Sequence, residues 1–340
     1  MSFLARRVRR AFLYPLLLAA ASGCSNTSEP EVVVYVSEDQ VFSEPILRDF
    51  ERELGIVVRA VYDTEEAKST GVMNRLIAER DNPQADVYWA NEPIRAEVLR
   101  QEGMTAAYVS PSAAGIPAAY KNPEGHWTGF SARARVLLVR KDLPEKPSSI
   151  LALTDPQYRG RAVLANPLFG TTTAEVAALF ALKGDTWGQE FMASLKANGV
   201  VLTASNGESA DAVVSGEAGF SLVDSDDAVS RIRQGRPVEM VVPDQGAGEM
   251  GVYLVPNVVL MLSGGPNPGP AKALIDYLLS PETERKLAAA DCAQLPLHAE
   301  VEPPRELSPV ASLKLMTADY AKVAAKMKEL QPWLAEWSRR

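Results

Sequence analysis

Three times before residue 100 the chain repeats one pattern: a short apolar run, a polar or acidic break, then a helical stretch. Val32-Val33-Val34-Tyr35-Val36 ends in Ser37-Glu38-Asp39-Gln40, and Pro45 to Leu54 follows with helical spacing, stopped by Gly55. Ile56 to Tyr62 ends in Asp63-Thr64-Glu65-Glu66 ahead of a helical Gly71 to Arg80, where Val72, Leu76 and Ile77 share a face. Ala85-Asp86-Val87-Tyr88-Trp89 ends in Asn91-Glu92-Pro93. Runs this short and apolar suit strands covered on both faces, and their alternation with helices argues βαβ units around a largely parallel sheet.

A second α/β pattern follows a connecting strand at Trp127 to Val139. Ala162 to Ala165 reads as a strand, Asn166 to Thr173 as a loop, and Ala174 to Leu182 and Gln189 to Ala197 as helices. Asp211 to Val214 lead into Ala218-Gly219-Phe220-Ser221-Leu222-Val223, a buried strand that stops at Asp224-Ser225-Asp226-Asp227. Open α/β sheets bind ligands at the C-terminal ends of their strands, where these three carboxylates lie. Alternatively, Asp224 or Ser225 caps a helix running through Ala228 to Ile232. Val238 to Val242 and Gly251 to Leu262 read as strands, Pro270 to Leu279 and Pro281 to Ala290 as helices, and Met316 to Trp337 as an amphipathic closing helix.

At 340 residues and 46% hydrophobic, the chain can bury one large core or two ordinary ones. The first 23 residues read as an export signal. Arg6 to Arg10 form a basic region, Phe12 to Ala21 an apolar one too short to span a bilayer, and Ala21-Ser22-Gly23 a cleavage zone. Arg9 and Arg10 ahead of Ala11-Phe12-Leu13 also resemble a twin-arginine signal. Removing residues 1–23 takes away Arg6, Arg7, Arg9 and Arg10 and moves the net charge from -8 to -12. That balance argues against a nucleic-acid partner. Two Cys and two His are too few for a Cys/His zinc site or a disulfide framework. No Gly-x-Ser-x-Gly elbow occurs and neither His126 nor His298 lies in a motif, so the chain does not read as an enzyme.

Several passages together carry a resemblance. Ala21-Ser22-Gly23-Cys24 is similar to a bacterial lipobox, with Ala where Leu is usual, which implies lipid modification of Cys24 and a tether over residues 24–30. Tyr35-Val36-Ser37, Ala85 to Trp89, Trp127 to Val136, Leu195 to Gly199, Ser215-Gly216-Glu217, Val255-Pro256-Asn257 and Ile275 to Glu282 follow in order and spacing. In these the chain resembles the type II periplasmic solute-binding proteins of ABC importers, nearest their ferric-iron-binding branch. The resemblance implies a two-lobe α/β fold, each lobe a mostly parallel sheet flanked by helices, with a ligand cleft between. Lobe 1 is expected to comprise residues 31–132 plus 252–340, and lobe 2 residues 133–251. It also implies a monomeric receptor in the periplasm or at the cell surface, held to the membrane through its N-terminal lipid alone and serving a permease.

The candidate ligand residues are Ser37, Asp39, Glu65, Asn91 and Glu92 from lobe 1, and Asp224, Ser225, Asp226 and Asp227 from lobe 2. Carboxylates are hard donors, so Glu65, Asp224, Asp226 and Asp227 form the candidate metal set, for Fe³⁺ or another hard cation. Converging acids repel one another until a cation joins them. The ferric branch ends the matching strand in adjacent tyrosines, which are absent here. Gly170-Thr171-Thr172-Thr173 opens a helix whose free N–H groups favour an anion, although Thr172 with Glu175 also reads as a capping box. The resemblance implies a synergistic anion at Gly170, Thr171 and Thr172, with Arg133 and Asn206 assisting; Arg135 is expected instead to point into the structure and pair locally. The function expected is capture of a small cation, together with an anion, for delivery to an ABC permease. Alternatives are an organic cation such as a polyamine or thiamine-like compound, a phosphorylated or phosphonate solute, or a lipid-anchored surface interaction protein.

Overall fold

The structure, a computed structural model, describes residues 29–63, 70–317 and 319–339. Cys24, the export signal and Glu65 lie outside the described residues. The first strands and helices are β1 (Glu31–Val36), α1 (Gln40–Leu54), β2 (Val57–Tyr62), α2 (Thr70–Ala78), β3 (Val87–Ala90), α3 (Pro93–Gln101) and β4 (Thr105–Ala106). A long β5 (Thr128–Arg140) follows, then β6 (Ala162–Ala165), α4 (Gly170–Lys183), α5 (Asp185–Ala197) and β7 (Val201–Thr203). Next come α6 (Asn206–Ser215), β8 (Phe220–Asp224), α7 (Ser225–Arg233) and β9 (Val238–Val241). The chain returns through β10 (Leu254–Leu262), α8 (Pro268–Leu278), α9 (Pro281–Ala289) and α10 (Tyr320–Arg339).

These strands form one curled sheet in the order β2-β1-β3-β10-β5-β8-β6-β7, with β4 added to β10 and β9 to β5. The β1–β2, β1–β3, β6–β7 and β6–β8 pairs are parallel, as βαβ connections require. Both β5 and β10 run antiparallel to their neighbours and join the lobes. Along β5 the pairing partner changes from β10, through Ala134, to β8, beginning at Arg135. The chain therefore passes from one lobe to the other at the strand carrying Arg133 and Arg135. β10 carries a register shift between Pro256 and Asn257, and Ser131 takes a φ of 40°, so both connections depart from regular strand there.

β3, β8 and all but the last residue of β5 are buried along their lengths, as expected of strands covered on both faces. The aromatics at strand ends are core: Tyr35, Tyr88, Trp89, Trp127 and Tyr253 are all buried. Three elements differ from expectation. α1 starts at Gln40, not Pro45, and tolerates that proline inside, with Asp39 at its N-cap position. α4 starts at Gly170 and leaves Thr172 inside the helix, so no Thr172–Glu175 capping box forms. α6 is a full helix where the spacing reads only as a lead-in to the strand; its cap is Ser205, whose hydroxyl accepts from the Glu208 N–H. Within residues 252–340, expected in lobe 1, α10 packs both on α3 and on α4, the latter within the expected lobe 2. Its Tyr320 stands edge-on to Trp127 and its Trp333 to Phe180. Among the described residues no helix is long and apolar enough to cross a membrane.

Candidate functional site

The site grows from the alternation of β5. Residues two apart in a strand share a face, so Arg133 and Arg135 project together from the segment where the lobes meet. Arg135 is fully buried. Removing a guanidinium from water is expensive, and here three other elements share the cost. Its Nε donates to Glu175 of α4 at 2.8 Å and its NH1 to Asp224, at the end of β8, at 2.8 Å. NH1 also donates to the Thr171 hydroxyl and to Asn206 Oδ1, and NH2 to the Thr172 hydroxyl. Burial works against the Arg135 charge, but Glu175 and Asp224 outweigh it and hold the guanidinium protonated.

Asp224 is held just as fully. Besides Arg135, both its oxygens accept from the Thr171 hydroxyl at 2.9 Å, and Oδ2 from Asn206 Nδ2 at 3.3 Å. Burial raises its pKa, yet Arg135 and Arg133 more than cancel that and hold the carboxyl below its ordinary range. It stands at the N-cap position of α7 but makes no side-chain cap bond, because the carboxylate turns back to Arg135.

Two and three residues on, the surroundings reverse. Asp226 and Asp227 are partly buried in the first turn of α7, and their carboxylates lie within 4.8 Å of each other and of Asp224. Asp227 has one cationic contact, Arg231 at 3.4 Å, and Asp226 accepts the Asp227 N–H. Burial first, and repulsion among the three acids next, push Asp226 up to about 6 and Asp227 up to about 8. For Asp226 the Arg133 charge opposes that rise without cancelling it.

Arg133 closes the site. Its side chain is almost fully buried, donates to the Asn91 carbonyl and stands 3.9 Å from Asp224, while its Nε has no partner. Burial disfavours its charge; Glu38 and Asp39 of lobe 1, with Asp224 and Asp226 of lobe 2, restore it. Carboxylates from both lobes therefore surround one guanidinium at the lobe junction. Carboxylates outnumber guanidiniums there, so a further cation would relieve the repulsion.

The family model for "Bacterial extracellular solute-binding protein" matches residues 90–323, which span β5, the acidic strand end and all of α4 to α9. The chain belongs to that family. Among curated relatives of this solute-binding protein, iron uptake protein A1 of Synechocystis is 25% identical over 76% of this chain and 74% of its own length. A periplasmic protein of Salmonella typhimurium named for 2-aminoethylphosphonate is 24% identical over 85% of this chain and 80% of its own. In fold, iron-bound HitA from Pseudomonas aeruginosa superposes with a TM-score of 0.78 at 22% identity, over 90% of this chain and 99% of that one.

Several candidate residues of this solute-binding protein are occupied elsewhere. Glu92 is engaged in structure: buried at the N-cap of α3, it accepts from the Ile94 and Arg95 N–H groups and pairs with the Arg95 guanidinium at 2.9 Å. Ser225 spends its hydroxyl on the Ala134 N–H of β5, and Ser37 spends its own on Asp63 and Tyr88. Asn91 reaches the site through its backbone carbonyl, which accepts from Arg133. Asp224 is hydrogen-bonded to Arg135, Thr171 and Asn206, and its carboxylate still lies within 4.8 Å of those of Asp226 and Asp227. In the expected anion loop, Thr171, Thr172 and Asn206 likewise bond Arg135 or Asp224, and Gly170 opens α4 with a φ of 61°. Asp226, Asp227 and Arg133 stand together at this junction, and the Asp39 charge acts on both Arg133 and Asp226. Glu38 and Glu175 are site residues that sequence reasoning misses; Glu175 could have been found from its helix-face partner Thr171, four residues earlier, pointing at one arginine.

Proposed function

We propose that this protein is the extracytoplasmic receptor of an ABC importer, capturing a small hard cation between its lobes and delivering it to the permease. The observation that carries the reading is the Asp226–Asp227 pair, with carboxylates from both lobes around it and pKa values raised first by burial and next by crowding. A cation held there removes the repulsion that opposes bringing the lobes together. Carboxylate oxygens select hard ions, Fe³⁺, Mn²⁺, Mg²⁺ or Ca²⁺. The relative named for iron uptake supports a metal cargo for this chain. We place the receptor in the periplasm or at the cell surface, tethered by lipid on Cys24.

The test is direct. Residues 25–340, purified without added metal, are assayed by elemental analysis and mass spectrometry for what co-purifies, then melted against a cation panel. Stabilisation by one or more hard cations, abolished by chelator, is expected. Curves that stay unchanged across the panel, with stabilisation by an organic amine in chelator, would overturn it.

A second reading has its own observation: Arg133 Nε is buried without a partner. A guanidinium beside carboxylates suits a solute carrying both signs, such as an amine bearing a phosphonate or phosphate, and the relative named for 2-aminoethylphosphonate supports it. Melting-temperature gains from 2-aminoethylphosphonate in chelator would favour this cargo over a metal.

A further inference from the structure

We propose that Asp224 is an internal anion: from within the chain it fills a preformed anion pocket made by Arg135, Thr171 and Asn206, so the cleft takes its cargo without an external co-bound anion.

The pocket has the parts an anion site needs. Arg135 supplies a desolvated guanidinium at 2.8 Å, Thr171 a hydroxyl 2.9 Å from each oxygen, and Asn206 an amide at 3.3 Å. Arg133 adds a second positive charge at 3.9 Å, with its Nε still unpartnered. Charge-assisted donors arrayed around both oxygens of a planar carboxylate would hold formate in the same way. The donors come from β5, α4 and α6, far from Asp224 in sequence. Asp224 also has a local alternative, since an aspartate at an N-cap ordinarily accepts from the helix's own first N–H groups. It makes no such bond, so its carboxylate is held by the pocket and not by the helix it begins. Thr171 and Asn206 are thereby spent on a group of the chain itself.

Removing the plug should expose the pocket. Asp224→Ala deletes the carboxylate and leaves space that formate fits. In buffer free of small anions the variant should melt roughly 5–10 °C below the native chain, as expected when one partner of a buried pair is lost. Formate should restore most of that loss with saturable dependence, and the native chain should gain nothing from formate or inorganic phosphate. Asp224→Asn keeps the shape and blocks the pocket, so formate should not rescue it. If Asp224→Ala folds only when anions are present, the yield of refolding with and without formate is the readout. Failure of formate to rescue folded or refolding Asp224→Ala would overturn the proposal. So would saturable stabilisation of the native chain by formate or phosphate that Thr171→Val abolishes.

The statement about cargo rests on the cation reading above and has its own readout. Stabilisation of the native chain by Mn²⁺ should be the same with and without formate, whereas in Asp224→Ala it should require formate. Formate rescue is read with no cation present, so it stands or falls separately from the cation reading. A native chain whose Mn²⁺ response appears only with formate would overturn the internal-anion role; no Mn²⁺ response under either condition would count against the metal cargo alone.

Discussion

Asp224 and the pair Asp226–Asp227 are separated by a single residue, yet they live in opposite environments. The first is buried against Arg135 and held ionised below its ordinary range; the others are partly buried, crowded by acids, and raised to about 6 and about 8. The difference follows from the strand-to-helix change between them. Asp224 is the last residue of β8, opposite Arg135 of β5 in register, whereas Asp226 and Asp227 have turned onto α7. A carboxylate with a buried guanidinium partner is structure; a carboxylate left among its own kind is available to a ligand.

The strongest way to break this contrast is at Arg135. Arg135→Met should strand Glu175 and Asp224 without their cation and cost about 3–5 kcal/mol, read by urea denaturation. A midpoint within error of the native chain's would show that the network is not structural.

On the other side, Asp226→Asn combined with Asp227→Asn should leave the ligand-free protein as stable as before or more so, since it relieves repulsion. The same change should weaken cation binding at least ~10-fold, about 1.4 kcal/mol, by calorimetric titration. Unchanged cation affinity would move the cargo site elsewhere.

Titration sharpens the contrast further. Asp226 and Asp227 have folded-state values above their ordinary 3.8, so the native state binds more protons than the unfolded chain between those limits. Their contribution is therefore fully present below the unfolded value and is lost as pH rises from about 4 toward 8. A bound cation competes with those protons, so its affinity should climb over the same interval. Asp224 has the opposite sign: its contribution is present above its ordinary value and fades only in acid. Melting curves from pH 4 to 8, with and without cation, check both; a cation-free melting temperature that rises toward pH 8 in proportion to these two acids would contradict the assignment.

The smallest effect on cargo binding is expected at Glu92. Glu92→Ala removes the cap of α3 and breaks its buried ion pair with Arg95, so it should cost about 3 kcal/mol in stability. The melting-temperature gain from cation should stay as in the native chain. A lost cation response would return Glu92 to the cleft.

Much of this architecture could be read from local pattern. The strand at Val32 to Val36, the parallel pairs of each lobe and the long connecting strand near Trp127 to Val139 all show as apolar runs with polar ends. The acidic end of β8 was legible as a candidate site for the same reason. Glu92 misled because Asn91-Glu92-Pro93 at a strand end reads equally as ligand loop and as helix start, and Pro93 at the first helical position settles it as a cap. Ser37 and Ser225 misled because a hydroxyl's partner is chosen by whichever strand lies beside it.

By itself, then, the sequence determined which segments are strands and helices, that they alternate, and that acids collect where the second lobe's strand stops. Those are properties of spacing along the chain: a period of two in strands, about 3.6 in helices, and a break where apolar runs end. Only the tertiary structure decided how charge is shared among those acids. Arg135, Thr171, Glu175, Asn206 and Asp224 come from four separate elements, and no local rule tells which carboxylate will meet the buried guanidinium. Electrostatic energies depend on distance and burial, which are set when β5 and β8 pair and α4 and α6 close over them. That pairing made Asp224 part of the frame and left Asp226 and Asp227 outside it, the pair that we propose receives what the protein carries.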